Sequence, residues 1–194
     1  MKLFIAGLAT GAILTFSGIA YLESTYPNIR GADGNIFLFA SNLYKAKRTA
    51  PEPREDMIDA VTAKVLRVVD GDTVDIEVNG ERQRVRYIGI NTPERNEPCY
   101  EQATQANIDL VLGKTVRLVK DKSDTDRYGR LLRYLFVDDI FVNKVLVEQG
   151  HAEAVLYKPD DQYYNLLSDL EGVAAEAGLG CHIFNIFDDG DPKR

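Results

Sequence analysis

Three stretches in the middle of the chain are strand-like in their hydrophobic pattern. Val61 to Val69 is rich in β-branched residues, while Thr73 to Val78 and Gln83 to Ile90 alternate apolar and polar positions. A period of two is typical of strands with one buried face. The dipeptides Asp70-Gly71 and Asn79-Gly80 between these stretches favour tight turns. The pattern therefore predicts three consecutive antiparallel strands.

The second half of the chain alternates helical and strand patterns. Two further strands are predicted at Thr115 to Val119 and Leu131 to Val137. Helical spacing of apolar residues predicts helices over about Glu101 to Leu112, Phe141 to Gln149 and about Asp161 to Ala177. A helix after the third strand and two after the fifth suit an α+β, mainly β fold, in which a five-stranded OB-fold-like barrel carries three helices.

The N-terminal part of the chain has a different character. After Lys2 come 20 uncharged residues, from Leu3 to Leu22, about the length that one helix needs to cross a bilayer. The length of this hydrophobic helix favours an uncleaved anchor, although the small residues Gly18 to Ala20 keep a cleavable signal peptide open. We therefore expect the folded part to be membrane-anchored and facing outside the cytoplasm, or secreted.

These patterns divide the chain into four segments. Residues 1–23 are the membrane anchor or signal peptide, and residues 24–59 form a spacer with turn and proline signals. Residues 60–187 form the barrel domain, and residues 188–194 form an acidic tail.

Charge and cysteine content narrow the function. The formal net charge of −7 argues against a protein that coats nucleic acid by bulk attraction, so any phosphate contact must come from a few placed arginines. Cys99 and Cys181 form either a disulfide, as exported proteins allow, or two free thiols. A metal site on these cysteines is not favoured, because His151 and His182 have no ligand spacing to Cys99.

Three short motifs carry candidate chemistry. Val69 to Val74 contains two aspartates, and on its own is most simply a turn. Val85 to Glu94 places Arg86 inside an apolar strand, where a guanidinium needs an anion or another partner. Thr125 to Arg130 is a basic and aromatic turn before a strand.

Together the three motifs closely resemble the staphylococcal nuclease family. They read Asp-Gly-Asp-Thr-Val, Arg-x-x-x-x-Asn-Thr-Pro-Glu and Thr-Asp-Arg-Tyr-Gly-Arg, in that order. The resemblance extends from about Val61 to about Asn185 and leaves the N-terminal segments without a counterpart. It implies a Ca²⁺ cofactor and a DNA or RNA substrate.

The resemblance also implies a role for each matching residue. The metal ligands would be Asp72, Asn91 and the backbone carbonyl of Thr92. The catalytic residues would be Glu94, as general base or water-positioning group, and Arg86 and Arg130, which grip the scissile phosphate. Arg127 and Tyr128 would contact a terminal phosphate, and Tyr157 would border the nucleotide pocket. In the layout that it implies, Cys99 and Cys181 lie where a disulfide can form.

Asn91 departs from the family pattern, because the best-known members have an aspartate there. An amide oxygen still suits Ca²⁺, but one negative charge is lost, so we expect weaker binding of the ion.

The physical chemistry of phosphodiester cleavage agrees with these roles. Two guanidinium groups and a divalent cation neutralise the charge that develops on the phosphate oxygens. We therefore expect a calcium-dependent endonuclease with little sequence specificity. The alternatives are a nucleic-acid-binding OB module without catalysis and a tethered structural domain. No protein partner is evident, and we expect a monomeric catalytic domain.

Overall fold

The predicted strands are present in the computed structural model, which describes residues 60–187. This part of the chain contains β1 (Val61–Val68), β2 (Thr73–Val78), β3 (Glu81–Tyr87), β4 (Ile90–Asn91), β5 (Thr115–Val119), β6 (Leu131–Val137), β7 (Ile140–Phe141) and β8 (Glu153–Ala154). The predictions for residues 1–23, 24–59 and 188–194 lie outside the described residues.

Five of these strands close into a mixed barrel. The order is β3-β2-β1-β5-β6, with antiparallel neighbours. A parallel pairing of β3 with β6, in which Val85 lies opposite Leu131, closes the barrel. The predicted five-stranded barrel and its first three antiparallel strands are therefore confirmed.

Alternate residues of the strands fill the barrel. Val65, Val74, Ile76, Val85 and Leu135 are almost fully buried, as expected for one face of each pleated strand. Burying each such side chain contributes about 1.5–3 kcal/mol relative to leaving it in water. This core fixes the strand ends from which the loops of the candidate site emerge.

Three helices pack against the barrel, as predicted. They are α1 (Tyr100–Val111), α2 (Val142–Glu148) and α3 (Tyr164–Glu176), followed by a 3₁₀ helix (Gly180–Phe184). The predicted apolar face of α3, including Leu167 and Leu170, is buried. Within residues 60–187, none of the helices is both long and apolar enough to span a bilayer.

The third strand ends earlier than its pattern predicts. It stops at Tyr87 instead of Ile90, because Gly89 adopts a φ of 76° that is incompatible with a strand. The chain then turns, and β4 pairs with β8 instead of continuing along the barrel. The turn directs Asn91 away from the barrel wall and towards Glu153, its partner in that pairing.

A disulfide connects the loop after β4 to the C-terminal 3₁₀ helix. Cys99 and Cys181 are bonded to each other, and 82 positions separate them in the sequence. Both are buried, in a small cluster with Ala103, Ile186 and Phe187. The bridge therefore fixes the start of α1, at the end of the loop that carries Glu94.

Reduction of this disulfide should lower the free energy of unfolding by about 2–4 kcal/mol, because it closes a long loop in the unfolded chain. Urea unfolding of the purified full chain, with and without dithiothreitol, measures the change. The Cys99→Ser/Cys181→Ser protein is the control, since the reductant should not shift its midpoint. Equal midpoints for the oxidised and reduced wild-type protein would count against a bridge.

Candidate active site

A cavity of about 750 Å³ opens between the loops at one end of the barrel. Of the residues predicted to catalyse or to bind metal or substrate, all but Thr92 line it: Asp72, Arg86, Asn91, Glu94, Arg127, Tyr128, Arg130 and Tyr157. We call this cavity the cleft. Residues from both halves of the barrel domain therefore converge on one space.

Arg86 lies at the bottom of the cleft and is only 9% exposed. One terminal nitrogen, Nη1, donates to the backbone oxygens of Tyr87 and Ile90, at 2.9 and 2.8 Å. The other, Nη2, donates to Asn91 Oδ1 at 2.9 Å and lies 3.2 Å from Asp72 Oδ2. The partner required by a guanidinium in an apolar strand is thus supplied by the protein itself.

Asp72 is held by two threonines, Thr73 and Thr92. Its Oδ1 accepts a hydrogen bond from the Thr73 hydroxyl, and its Oδ2 accepts bonds from both the backbone N–H and the hydroxyl of Thr92. Gly71 permits this approach, because a Cβ there would lie 2.7 Å from the Thr92 side chain. Thr92 thus supports Asp72 from behind the cleft.

Asn91 is oriented by two partners of opposite character. Its Oδ1 accepts from Arg86, while its Nδ2 donates to Glu153 Oε1 at 3.0 Å. A donor on one side and a carboxylate on the other determine which way the amide faces. The amide oxygen therefore faces Arg86 and Asp72. Sequence reasoning missed Glu153, an acidic residue that lies within a largely apolar run.

The donor set of the cleft fits a hard divalent cation. The carboxylate of Asp72 and the amide oxygen of Asn91 lie 3.2 and 2.9 Å from the same Arg86 nitrogen, so the two oxygens are close neighbours. Mixed oxygen donors of this kind suit Ca²⁺. A cation held by Asp72 and Asn91 would share with Arg86 the neutralisation of the Asp72 carboxylate.

Asp70 adds a second carboxylate to this side of the cleft. Burial and the neighbouring Asp72 raise the pKa of Asp70 to about 6. The turn is held from below by Asn107 of α1, whose Nδ2 donates to the Asp70 carbonyl and whose Oδ1 accepts from the Tyr87 hydroxyl. The sequence places Asp70 in the first motif, but nothing there assigns it to the site.

Glu94 lies on the exposed loop that forms one rim of the cleft. A local turn shapes this loop: the Glu94 N–H donates to the Glu97 carboxylate, and the Glu97 N–H donates to the Glu94 carbonyl. The Glu94 side chain is thus accessible to water at the edge of the cavity.

The basic turn before β6 forms the opposite rim. Asp126 accepts hydrogen bonds from the backbone of Tyr128 and Arg130, and its Oδ2 lies 2.6 Å from Arg130 Nε. Although burial opposes it, these bonds keep the pKa of Asp126 below its usual value. The bond through Nε uses one of the five N–H donors of the Arg130 guanidinium.

Aromatic and charged groups complete this rim. The Tyr128 ring is packed by the guanidinium carbons of Arg127 and Arg130, which lie 4.8 and 5.5 Å from its centroid. Tyr157 is 42% exposed and lies on a loop that also carries Asp160. Asp160 connects this loop to the segment before the basic turn by accepting hydrogen bonds from the N–H groups of Lys122 and Ser123.

The structure brings His151 closer to the cysteines than the sequence spacing suggests. Ligand atoms of His151, Cys99 and Cys181 lie within 4.8 Å of one another. The two sulfurs are bonded to each other, however, so they are not the thiolates that a metal ion binds. Burial lowers the pKa of His151, which favours a neutral packing residue.

Comparison with known proteins identifies the family of this chain. The family model described as "Staphylococcal nuclease homologue" matches residues 84–181. This range includes Arg86, Asn91, Glu94, Arg130 and both cysteines.

Similar proteins include two staphylococcal thermonucleases and a bacterial endonuclease. The thermonuclease of Staphylococcus hyicus is 36% identical over 108 residues, which cover 53% of this chain and 64% of that protein. The thermonuclease of Staphylococcus intermedius is 35% identical over 121 residues, covering 59% and 72%. Endonuclease YncB of Bacillus subtilis is 39% identical over 111 residues, covering 53% of each. The chain thus spans about half to three quarters of the length of these relatives, and it belongs to the staphylococcal nuclease family.

Proposed function

We propose that this protein is a calcium-dependent endonuclease that hydrolyses phosphodiester bonds of DNA or RNA with little sequence preference. The observation that carries the proposal is the convergence of Asp72, Arg86, Asn91, Glu94 and Arg130 on one cleft. Relatives named thermonuclease and endonuclease support it.

The first step is binding of the phosphate between the two rims. The Arg130 side chain reaches the cleft and is 30% exposed. Its remaining N–H groups can therefore donate to two phosphate oxygens at once. Tyr128 and Tyr157 offer exposed rings on which bases of any identity can stack. Contacts of this kind do not distinguish one base from another.

Arg86 has a dual role in this scheme. In the absence of substrate its guanidinium neutralises Asp72 and holds the Asn91 oxygen. A bound divalent cation would supply positive charge to polarise the phosphate and orient a water molecule. If a cation engaged those two oxygens, Arg86 Nη2 would be free to donate to a phosphate oxygen, and cation and phosphate binding would support each other.

Glu94 completes the chemistry. Its exposed carboxylate on the cleft rim can accept or align the proton of an attacking water. The water oxygen then bonds to phosphorus as the bond from phosphorus to the leaving oxygen breaks, and the leaving oxygen takes a proton from the solvent. Charge that develops on the phosphate is then met by Arg86 and Arg130.

Export is the setting we propose for this activity. The uncharged run from Leu3 to Leu22 supports it. The Cys99–Cys181 disulfide supports it as well, since disulfides persist outside the reducing cytosol. An anchor or a cleaved signal both agree with this proposal.

Glu94→Ala and Arg130→Ala should each lower the rate of single-stranded DNA cleavage by roughly 10²–10³-fold, because each removes a group that acts in the transition state. Cleavage is measured on the purified full chain with Ca²⁺, and again with a chelator, which should abolish it. Arg95→Ala is the matched control, because Arg95 is an exposed neighbour of Glu94 that does not line the cleft. Retained DNA binding without cleavage by any divalent cation would instead indicate a binding module.

Asn91→Asp combined with Glu153→Gln should tighten Ca²⁺ binding roughly tenfold, since a carboxylate replaces an amide among the ligands. The second change is needed because Asn91 Nδ2 now donates to the Glu153 carboxylate, and Asn91→Asp alone would oppose two carboxylates. Calorimetric titration measures the affinity, with Glu153→Gln as the control. If the double substitution leaves the affinity unchanged, Asn91 is not a ligand.

A further inference from the structure

A second cavity, of about 530 Å³, lies beside the cleft and shares residues with it. It is lined by Asp75, Arg82, Gln83, Arg84 and the turn at 128–130. Tyr128 and Arg130 line both cavities, so the two adjoin at this turn. We call the second cavity the arginine groove.

The arginine groove continues the row of side chains that begins in the cleft. Arg82, Arg84 and Arg86 occupy alternate positions of β3 and therefore point to the same side of the sheet, about 6.6 Å apart from one to the next. Arg86 is buried in the cleft, whereas Arg82 and Arg84 are exposed. The pairing of Val85 with Leu131 places Arg84 next to the turn that carries Arg130.

The arginine groove carries more positive charge than its buried carboxylate, Asp75, can neutralise. Asp75 is buried and pairs with Arg82 at 2.6 Å and Arg84 at 2.8 Å, while Arg67 lies 3.6 Å away. Asp75, the one carboxylate among the residues that line the groove, thus faces three guanidinium groups. Glu77 lies opposite Arg82 in the sheet but does not line the arginine groove. In a chain with a net charge of −7, this positive excess is local.

Two further features suit a polyanion with flat bases. The side chains of Arg82 and Arg84 stay 58% and 47% exposed while paired, so they keep N–H donors at the surface. Tyr128 is 68% exposed at the junction with the cleft, where an aromatic ring can stack on a base.

We propose that Arg82 and Arg84 bind backbone phosphates of a nucleic-acid single strand next to the nucleotides held in the cleft. Asp75 fixes the two guanidiniums in place, and Tyr128 marks the passage from the cleft to the arginine groove. This extends the proposed nuclease function and rests on it. It makes the protein favour long single strands over dinucleotides, without preference for sequence.

Arg82→Gln/Arg84→Gln tests the proposal on two substrates, a dinucleotide and an oligothymidylate of about 16 nucleotides, a length comparable to known single-strand sites. We expect kcat/KM on the oligonucleotide to fall about tenfold and that on the dinucleotide to stay unchanged. The plot of log affinity against log salt should become shallower, with its slope smaller in magnitude by about 1.4. The reason is that two phosphates of the strand would no longer be neutralised by the protein.

Lys64→Gln/Arg117→Gln is the matched control, with the same loss of charge. Lys64 lies on β1, whereas Arg117 lies on β5 and contacts the Asp138 carbonyl at the far end of β6. Neither residue lines the arginine groove or the cleft. This variant should behave like wild type on both substrates. Thermal melting checks that each variant is folded. If Arg82→Gln/Arg84→Gln is not, Arg82→Gln alone should still weaken oligonucleotide cleavage about threefold, as expected when one of two similar arginines no longer binds its phosphate.

Binding of the labelled oligonucleotide, followed by fluorescence anisotropy with a chelator present, separates this proposal from the nuclease function. If wild type cleaves neither substrate but Arg82→Gln/Arg84→Gln binds the oligonucleotide about tenfold more weakly, the nuclease proposal fails and the arginine groove stands. If Arg82→Gln/Arg84→Gln binds the oligonucleotide as tightly as wild type, the proposal for the arginine groove is overturned. An equal loss of cleavage on both substrates overturns it as well.

Discussion

The cleft depends on a single buried cation, the guanidinium of Arg86. It neutralises Asp72, orients Asn91 and donates to the backbone carbonyls of Tyr87 and Ile90. Removing one partner from a buried charged network costs about 3–5 kcal/mol. The side chain that serves the proposed chemistry therefore also stabilises the fold. The strand-ending turn at Gly89 makes this possible, because it brings Ile90 and Asn91 back towards the arginine that precedes them.

Buried amide side chains connect the loops around the cleft to the helices. Asn107 of α1 joins the Asp70 turn to the Tyr87 hydroxyl. Asn143 of α2 accepts from the Leu135 N–H and donates to the Ile88 carbonyl. Each amide satisfies backbone groups in or beside the strands, namely the Asp70 and Ile88 carbonyls and the Leu135 N–H. The helices therefore hold the loops of the cleft as well as covering the barrel.

Local patterns were sufficient to predict the elements, whereas the site residues were indicated by the family resemblance of the three motifs. Alternation along Thr73–Val78 and the strand-like run Leu131–Val137 predicted both strands with their observed bounds. Through the family resemblance, the three motifs and Tyr157 indicated eight of the residues that line the cleft. The early end of β3 was missed, since apolar residues continue to Ile90 while only the backbone of Gly89 turns. Glu153 was missed because its role comes from a pairing with β4, which joins segments far apart in the sequence. The arginine groove was missed for a similar reason, since alternating arginines on an exposed strand look like an ordinary solvated face until the turn at 128–130 is placed beside them.

The position of the disulfide has a consequence for the order in which the molecule is assembled. All five barrel strands end by Val137, but the bridge to Cys99 needs Cys181, more than forty residues later in the sequence. During synthesis the barrel and the arginine network can form while the loop with Glu94 still lacks its tether. That loop is secured only after Cys181 has been made and an oxidant has acted on the two thiols. Assembly of the cleft is thereby coupled to the redox state of the surroundings.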